Sequence, residues 1–184
     1  NAAPLAGHGG GGRGWFPKPY GGIRNVAGIE ECSADQYCNV TLGLHAYHRT
    51  MADAAEKAQI EEVIVSFSDW WHDHDHSGIY GGRPIWWKRL DTHPMAASFF
   101  LYLHALAESW KPGLKSSESL ATWLDLKATL LRPDKATGIT MHGTPVLCLE
   151  QLSKLRPDLD AVWQPALVHQ ATLLAKAVNH TAQS

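Results

Sequence analysis

Histidines, aspartates and tryptophans are concentrated between Ser68 and Arg89, and this stretch offers the most chemistry in the chain. It reads SDWWHDHDHSGIYGGRPIWWKR and holds four of the eight tryptophans among the 184 residues. Alternating His and Asp residues are poor core material, because each buried polar group needs a hydrogen-bonding partner. The composition therefore predicts a binding surface here.

The HDHDH run within this stretch has the residue types of a metal site. In a helix, His72 and His76 share one face with Asp69 one turn earlier, whereas in an extended chain His72, His74 and His76 lie on one side. The HExxH signature is absent, and histidine near a helix C-terminus is already stabilised by the helix dipole. We favour a polar helix end, predict no metal and no cofactor, and keep a divalent metal protein as an alternative.

Carboxylates are the second source of chemistry. Glycoside hydrolysis usually needs one carboxyl that stays protonated as an acid and a second that is ionised as base or nucleophile. Each candidate also has a plainer role as a helix-end residue or a solvated charge. We predict catalytic roles for Glu30, Glu31, Asp35 and Asp75.

Aromatic, Arg, Gln and His residues accompany these carboxylates. An aromatic face suits the C–H-rich side of a sugar ring, and the polar side chains supply directional hydrogen bonds to its hydroxyls. The plainer interpretation is that the tryptophans close the end of a helical array. We predict substrate-binding roles for Arg24, Gln36, Tyr80, Arg83, Trp86, Trp87, His93 and His142.

Helical periodicity dominates the rest of the chain, and no segment shows convincing strand alternation between hairpin turns. The pattern predicts an all-α fold of about six helices, with Pro165 either kinking the last one or marking its true start. The predicted helices run from Ala34 to Arg49, from a cap at Asp53 with Glu56 to about His76, from Pro94 to Trp110, from Ser117 to Leu131, from Thr144-Pro145 to Pro157, and onward from Asp158.

The lengths of the connections predict how these helices are arranged. Short links follow the first, third and fifth helices, so these helices are expected to pack antiparallel to their successors. The long pieces should then gather at one end, which is the candidate site because function concentrates on loops. These pieces are Arg13 to Ser33, His74 to His93 and Arg132 to Gly143.

Composition narrows the partners and the compartment. The 16 basic and 18 acidic residues are interspersed, which argues against a nucleic-acid partner. No apolar run reaches the roughly 20 residues of a membrane span, so no membrane partner is predicted. The N-terminus lacks the order of a signal peptide, so any signal would already be removed. The location stays open, with the periplasm or secretion favoured.

The domain limits and the cysteines complete this description. Residues 1–12 are Gly-rich and predicted to be a flexible tail, and residues 13–180 are predicted to form a single helical-hairpin domain. Cys32 and Cys38 are close enough in sequence to pair, whereas Cys148 has no obvious partner. The cysteines therefore do not decide the redox compartment.

The run SADQYCNVTLGLHAYHRTMADAAEKAQIEEVIVSFSDWW, with the later THPMAASFFLYLHALAESW, resembles helical hairpins of the (α/α) toroid proteins, which include six-hairpin glycosidases and unsaturated glucuronyl hydrolases. The resemblance covers Ser33 to about Trp110 and includes Asp35-Gln36. It implies a carbohydrate-active protein, hydrolase-like or polysaccharide-degrading, that takes an oligosaccharide or polysaccharide.

The number of helices departs from this family. A complete toroid has about twice as many, so the resemblance implies half of a toroid, closed by a second copy of the chain or by the remainder of a longer chain. A half-ring would expose apolar helix faces, which usually mark interaction surfaces. The alternative function is a non-catalytic helical module that binds glycan or protein.

Overall fold

The computed structural model describes residues 14, 16, 32–80, 83–86, 94–125 and 139–181. Within them the all-α fold class is confirmed. The elements are α1 (Ala34–Thr50), α2 (Ala54–Asp73), β1 (Ser77–Tyr80), β2 (Arg83–Trp86), α3 (Pro94–Trp110), α4 (Ser116–Asp125), α5 (Ile139–Leu155) and α6 (Asp160–Thr181). The two strands form an antiparallel sheet between α2 and α3, and a short 3₁₀ turn, Pro157–Leu159, precedes α6.

The hairpin of β1 and β2 corrects the prediction that the chain has no strands. Its register pairs Ser77 with Trp86 and Tyr80 with Arg83, which leaves Gly81-Gly82 as the two-residue connection. Gly-Gly is a preferred sequence for such connections. Alternation of apolar and polar residues over only four positions does not distinguish a strand from a loop. The glycine pair was the sequence signal that could have indicated a hairpin.

The start of α2 is set by local interactions and agrees with the prediction. The Asp53 carboxylate accepts a hydrogen bond from the Glu56 backbone N–H at 2.9 Å, and the Glu56 carboxylate accepts one from the Asp53 N–H at 3.0 Å. This reciprocal pair is a capping box. Ile60, Ile64 and Phe67 then follow at helical spacing on the buried face, as predicted.

Helix α3 is the centre of the core. Every residue from Pro94 to Ala107 is buried, and the helix contacts α1, α2, α4 and α5. An α-helix that is apolar around its whole circumference belongs inside a domain, because no face can be left to water. Any polar side chain on α3 must consequently find its partner within the core.

At the C-terminal end one predicted helix start is wrong, and one open alternative is resolved. Helix α5 begins at Ile139 rather than at Thr144, and Pro145 lies inside it. The buried side chains of His142 and Thr144 show why, since tertiary packing extends the helix ahead of the local cap signal. Helix α6 includes Pro165, so this proline does not mark its start.

Gly14 and Phe16, two described residues ahead of α1, contact the helices through Tyr37. The Tyr37 hydroxyl donates to the carbonyl of Gly14 at 2.9 Å and accepts a hydrogen bond from the N–H of Phe16. The Phe16 ring lies edge-on to Tyr37, with 5.8 Å between ring centroids, and 6.2 Å from the ring of Phe67. Gly14 and Phe16 are thus anchored on α1 and α2.

Replacing Gly14 tests this anchoring. A Cβ at Gly14 would collide with the backbone of Ser66 and come within 2.8 Å of the Trp70 Cβ, and the φ of Gly14 is 97°. We expect Gly14→Ala to lower the free energy of unfolding, measured by urea denaturation, by more than the roughly 1–2 kcal/mol of the left-handed backbone alone. Gly113→Ala is the control, because Gly113 has a φ of 80° but open space around it. Equal losses in the two variants would contradict close packing at Gly14.

Candidate functional sites

The end of the domain that carries the hairpin was predicted to hold the site. Here the Sγ atom of Cys32 fills the space where a Cβ of Gly78 would lie, and the Trp71 ring is 3.7 Å from the same position. The chain entering α1 therefore meets the first strand of the hairpin. Cys32 of the first long connection thus contacts Gly78 of the second, and the gathering of all three long connections at one end stays a prediction.

Four of the predicted site residues have described side chains. Asp35 is half-buried in the first turn of α1, where it accepts a hydrogen bond from the Ser33 hydroxyl. Gln36, beside it, has a buried Oε1 atom without a partner among the described residues. Asp75 is exposed in the turn after α2, and His142 is buried near the start of α5.

The side chains of the other predicted site residues are not among those that the structure describes. The structure describes only the backbone of Tyr80, Arg83 and Trp86, which belong to the hairpin. The remaining predicted positions, namely Arg24, Glu30, Glu31, Trp87 and His93, lie outside the described residues. The catalytic pair and the sugar platform at this end stay predictions.

The first half of the tryptophan- and histidine-rich stretch is the end of α2, as the preferred interpretation of the HDHDH run predicts, and its two tryptophans belong to the core rather than to a binding surface. Trp70 and Trp71 are 4% and 0% exposed. The His72 Nδ1 atom is 2.6 Å from the Ser119 hydroxyl, and the His74 ring stacks on Trp70 with 4.1 Å between centroids. Among the described residues, no group of three or more His, Cys, Asp or Glu side chains could hold a metal ion.

The third histidine of the run, His76, joins a buried hydrogen-bonded chain. Its Nε2 atom lies 2.9 Å from Nε2 of His104 on α3, and Nδ1 of His104 lies 2.8 Å from the hydroxyl of Ser68 on α2. The three side chains are at most 2% exposed. Burial first, and then His76, lowers the pKa of His104 well below its usual value. A neutral His104 donates from one ring nitrogen and accepts at the other, as this chain requires.

The turn after α2 is what carries His76 inward. Asp75 and His76 have φ values of 49° and 53°, which is a left-handed conformation that Asp and His adopt more readily than most residues. The His76 N–H bonds to the carbonyl of Trp71 at 2.8 Å, closing the end of the helix. The chain Ser68–His104–His76 therefore fastens the base of the hairpin to α2 and α3, and its burial suits a structural role.

An open groove on the side of the domain is a second candidate site. A stripe of α2 side chains at helical spacing forms one side, and the end of α3 forms the other. Its volume is about 390 Å³, within the range of roughly 300–1,000 Å³ typical of small-molecule sites. The lining residues are Ala58, Glu61, Glu62, Val65, Ser66, Asp69, Trp110 and Lys111.

His48 on α1 holds both sides of this groove. Its Nε2 atom is 2.9 Å from a carboxylate oxygen of Glu61, and its ring lies 4.6 Å from the Trp110 ring at an interplanar angle of 33°. Trp110 is also edge-on to His45, at 5.8 Å. Contacts with His48 and His45 therefore fix the orientation of the Trp110 indole, and the contact with His48 fixes that of the Glu61 carboxylate.

Asp69 is the least solvated carboxylate of the groove. Burial, and then the nearby Asp73, raises its pKa, while Lys111, His72 and Lys115 act in the opposite direction. Its Oδ1 atom is buried and has no hydrogen-bond partner among the described residues. Because Oδ1 has no exposed surface, a ligand in the groove can contact Asp69 only through the exposed part of this half-buried side chain.

No protein-family model, curated protein or solved structure matches this chain. Among the described helices, none has the length and apolar character needed to cross a lipid bilayer.

Proposed function

We propose that this chain is a carbohydrate-binding helical domain and that the groove between α2 and the end of α3 receives the sugar. The observation that carries the proposal is the presence of Trp110 opposite the carboxylates of α2. An indole offers a sugar ring an apolar surface, and the carboxylates accept hydrogen bonds from its hydroxyls. The Lys111 ammonium group adds a donor, and the Ser66 hydroxyl, which donates to the Glu62 carbonyl at 2.7 Å, adds an acceptor.

The charges of the groove do not by themselves select a sugar, because the carboxylates of Glu61, Glu62 and Asp69 outnumber the single ammonium group of Lys111 and would also attract a basic peptide. A sugar has both donors and acceptors, so it can use groups of either sign. Peptide binding by the same groove is the competing outcome of the experiment below.

The groove supports binding rather than hydrolysis. All three of its carboxylates lie on α2, whereas glycosidases place the acid and the base or nucleophile on either side of the bond that is cleaved. The hydrolase prediction rests on Glu30, Glu31, Asp35 and Asp75, and it remains a proposal. The packing of α1 against α3, and of α3 against α5, is the order that consecutive toroid hairpins would give, but other helical-hairpin arrays give it too.

Titration of the protein with neutral cello-, xylo-, manno- and malto-oligosaccharides, followed by calorimetry and tryptophan fluorescence, tests the proposal. We expect one of these series to bind and Asp69→Asn to weaken that binding at least about tenfold, because a hydrogen bond to a charged group is lost. Asp73→Asn is the matched control: it removes the same charge one turn further along α2, where Asp73 is exposed and does not line the groove.

Other results would move or remove the site. Binding of tetralysine in place of every sugar would contradict the proposal in favour of a peptide site. Loss of sugar binding in Trp86→Ala or Trp87→Ala, with no effect of Asp69→Asn, would move the site to the end that carries the hairpin. Release of new reducing ends that disappears in Glu31→Gln or Asp35→Asn would establish a hydrolase.

A further inference from the structure

Two buried thiols from distant parts of the chain are in contact. The Sγ atoms of Cys38 on α1 and Cys148 on α5 lie 3.4 Å apart, although 110 residues separate them in sequence. Both residues are 0% exposed, and all three cysteines are free thiols in this structure. Cys148, for which the sequence offered no partner, thus has one, and it is not the Cys32 that was considered for Cys38.

We propose that Cys38 and Cys148 form a disulfide bond that ties α1 to α5 when the chain folds in an oxidising environment. A disulfide requires two cysteine side chains that converge, and sulfur atoms in van der Waals contact satisfy this condition. The bonded sulfurs would be about 2.0 Å apart, which is shorter than the present contact of 3.4 Å. The inference is independent of the proposed sugar groove.

The bond forms by thiol–disulfide exchange with a small-molecule disulfide such as oxidised glutathione. The thiolate of one cysteine attacks the glutathione disulfide and gives a mixed disulfide, and one glutathione leaves as a thiol. The second cysteine then attacks the protein sulfur of that mixed disulfide and releases the other glutathione. Both cysteine protons are lost, and two electrons pass to two glutathione molecules.

Burial decides when this exchange can occur. The thiolate is the reactive form, and burial raises the pKa of the Cys148 thiol well above its usual value. A small disulfide also cannot reach sulfur atoms that have no exposed surface. Oxidation therefore takes place while the chain is folding or transiently open, and the folded protein then protects the bond from reduction.

The experiment is refolding of the full chain in a buffer of oxidised and reduced glutathione, followed by N-ethylmaleimide alkylation in denaturant, intact mass measurement and peptide mapping. We expect the refolded protein to lose about 2 Da, to take up a single N-ethylmaleimide at Cys32, and to yield one cross-linked peptide pair containing Cys38 and Cys148. Its melting temperature should exceed that of protein refolded in dithiothreitol by about 10 °C, as expected for a closed loop of this length.

Cys32→Ser is the matched control, because Cys32 is equally buried and should be dispensable for the cross-link. Cys148→Ser should abolish both the cross-linked peptide and the difference in melting temperature. A disulfide that includes Cys32, or three alkylated cysteines after refolding with excess oxidised glutathione, would overturn the proposal. Because the wild-type peptide map gives this answer directly, the test does not depend on the serine variants folding.

Discussion

Phe100→Ala is expected to lower the free energy of unfolding by about 3–5 kcal/mol, the usual loss for a fully buried phenylalanine. The Phe100 ring is 0% exposed and lies edge-on to Trp71 at 5.0 Å and to His76 at 4.8 Å between ring centroids. Its removal leaves a cavity between α2, α3 and the base of the hairpin. Urea denaturation monitored by circular dichroism measures the loss.

Two variants bracket this effect. Phe100→Leu retains part of the buried volume, so it should cost less than the alanine variant. Val63→Ala on α2 is the surface control, because Val63 is 39% exposed and its truncation should change stability by less than about 1 kcal/mol. If Phe100→Ala and Val63→Ala had similar effects, α3 would not be the centre of the core.

Mild acid is expected to destabilise the protein through its buried histidines. Burial lowers the pKa of His104 well below its usual value, and burial together with Arg49 and His48 lowers the pKa of His45 to about 4. As the pH falls below about 6.5, each of these histidines binds a proton in the unfolded chain but not in the folded protein. Stability should therefore fall as the pH drops below about 6.5, by about 1.4 kcal/mol per pH unit for His104 alone.

One variant isolates the contribution of His104 to this pH dependence of stability. His104→Gln keeps a side chain that can hydrogen-bond to Ser68 but does not titrate. We expect this variant to be less stable at pH 7, and its stability to fall less steeply between pH 6.5 and pH 4.5, by about one proton per molecule. Urea denaturation at each pH gives the slope, and an unchanged slope would show that His104 takes up its proton equally in the folded and the unfolded protein.

Interactions within a few residues were predictable from the sequence. The capping box at Asp53 and Glu56 joins residues three apart, and the start of α3 at Pro94 follows from the fixed φ of proline. The start of α5 was not predictable in this way. Thr144-Pro145 is a good local cap signal, yet packing of His142 overrides it.

Contacts between residues that are far apart in sequence were not predicted. The HDHDH run suggested a local motif, but the partner of His76 is on α3, 28 residues away. A signal was present, since Ser68 and His104 are polar residues within apolar helix faces, and such residues need buried partners. The contact between Cys38 and Cys148 left no comparable signal, because cysteine is ordinary in a buried helix face.

The complete burial of α3 has a consequence for the synthesis of the protein. Residues 94–107 emerge from the ribosome before α4 and α5, the later helices that contact α3. At roughly 5–20 residues per second, the faces of α3 that α4 and α5 will cover stay exposed for seconds, because only α1 and α2 are already made. During that time these faces can associate with other nascent or partly folded chains, so we expect the yield of folded protein to depend on how quickly α5 is completed.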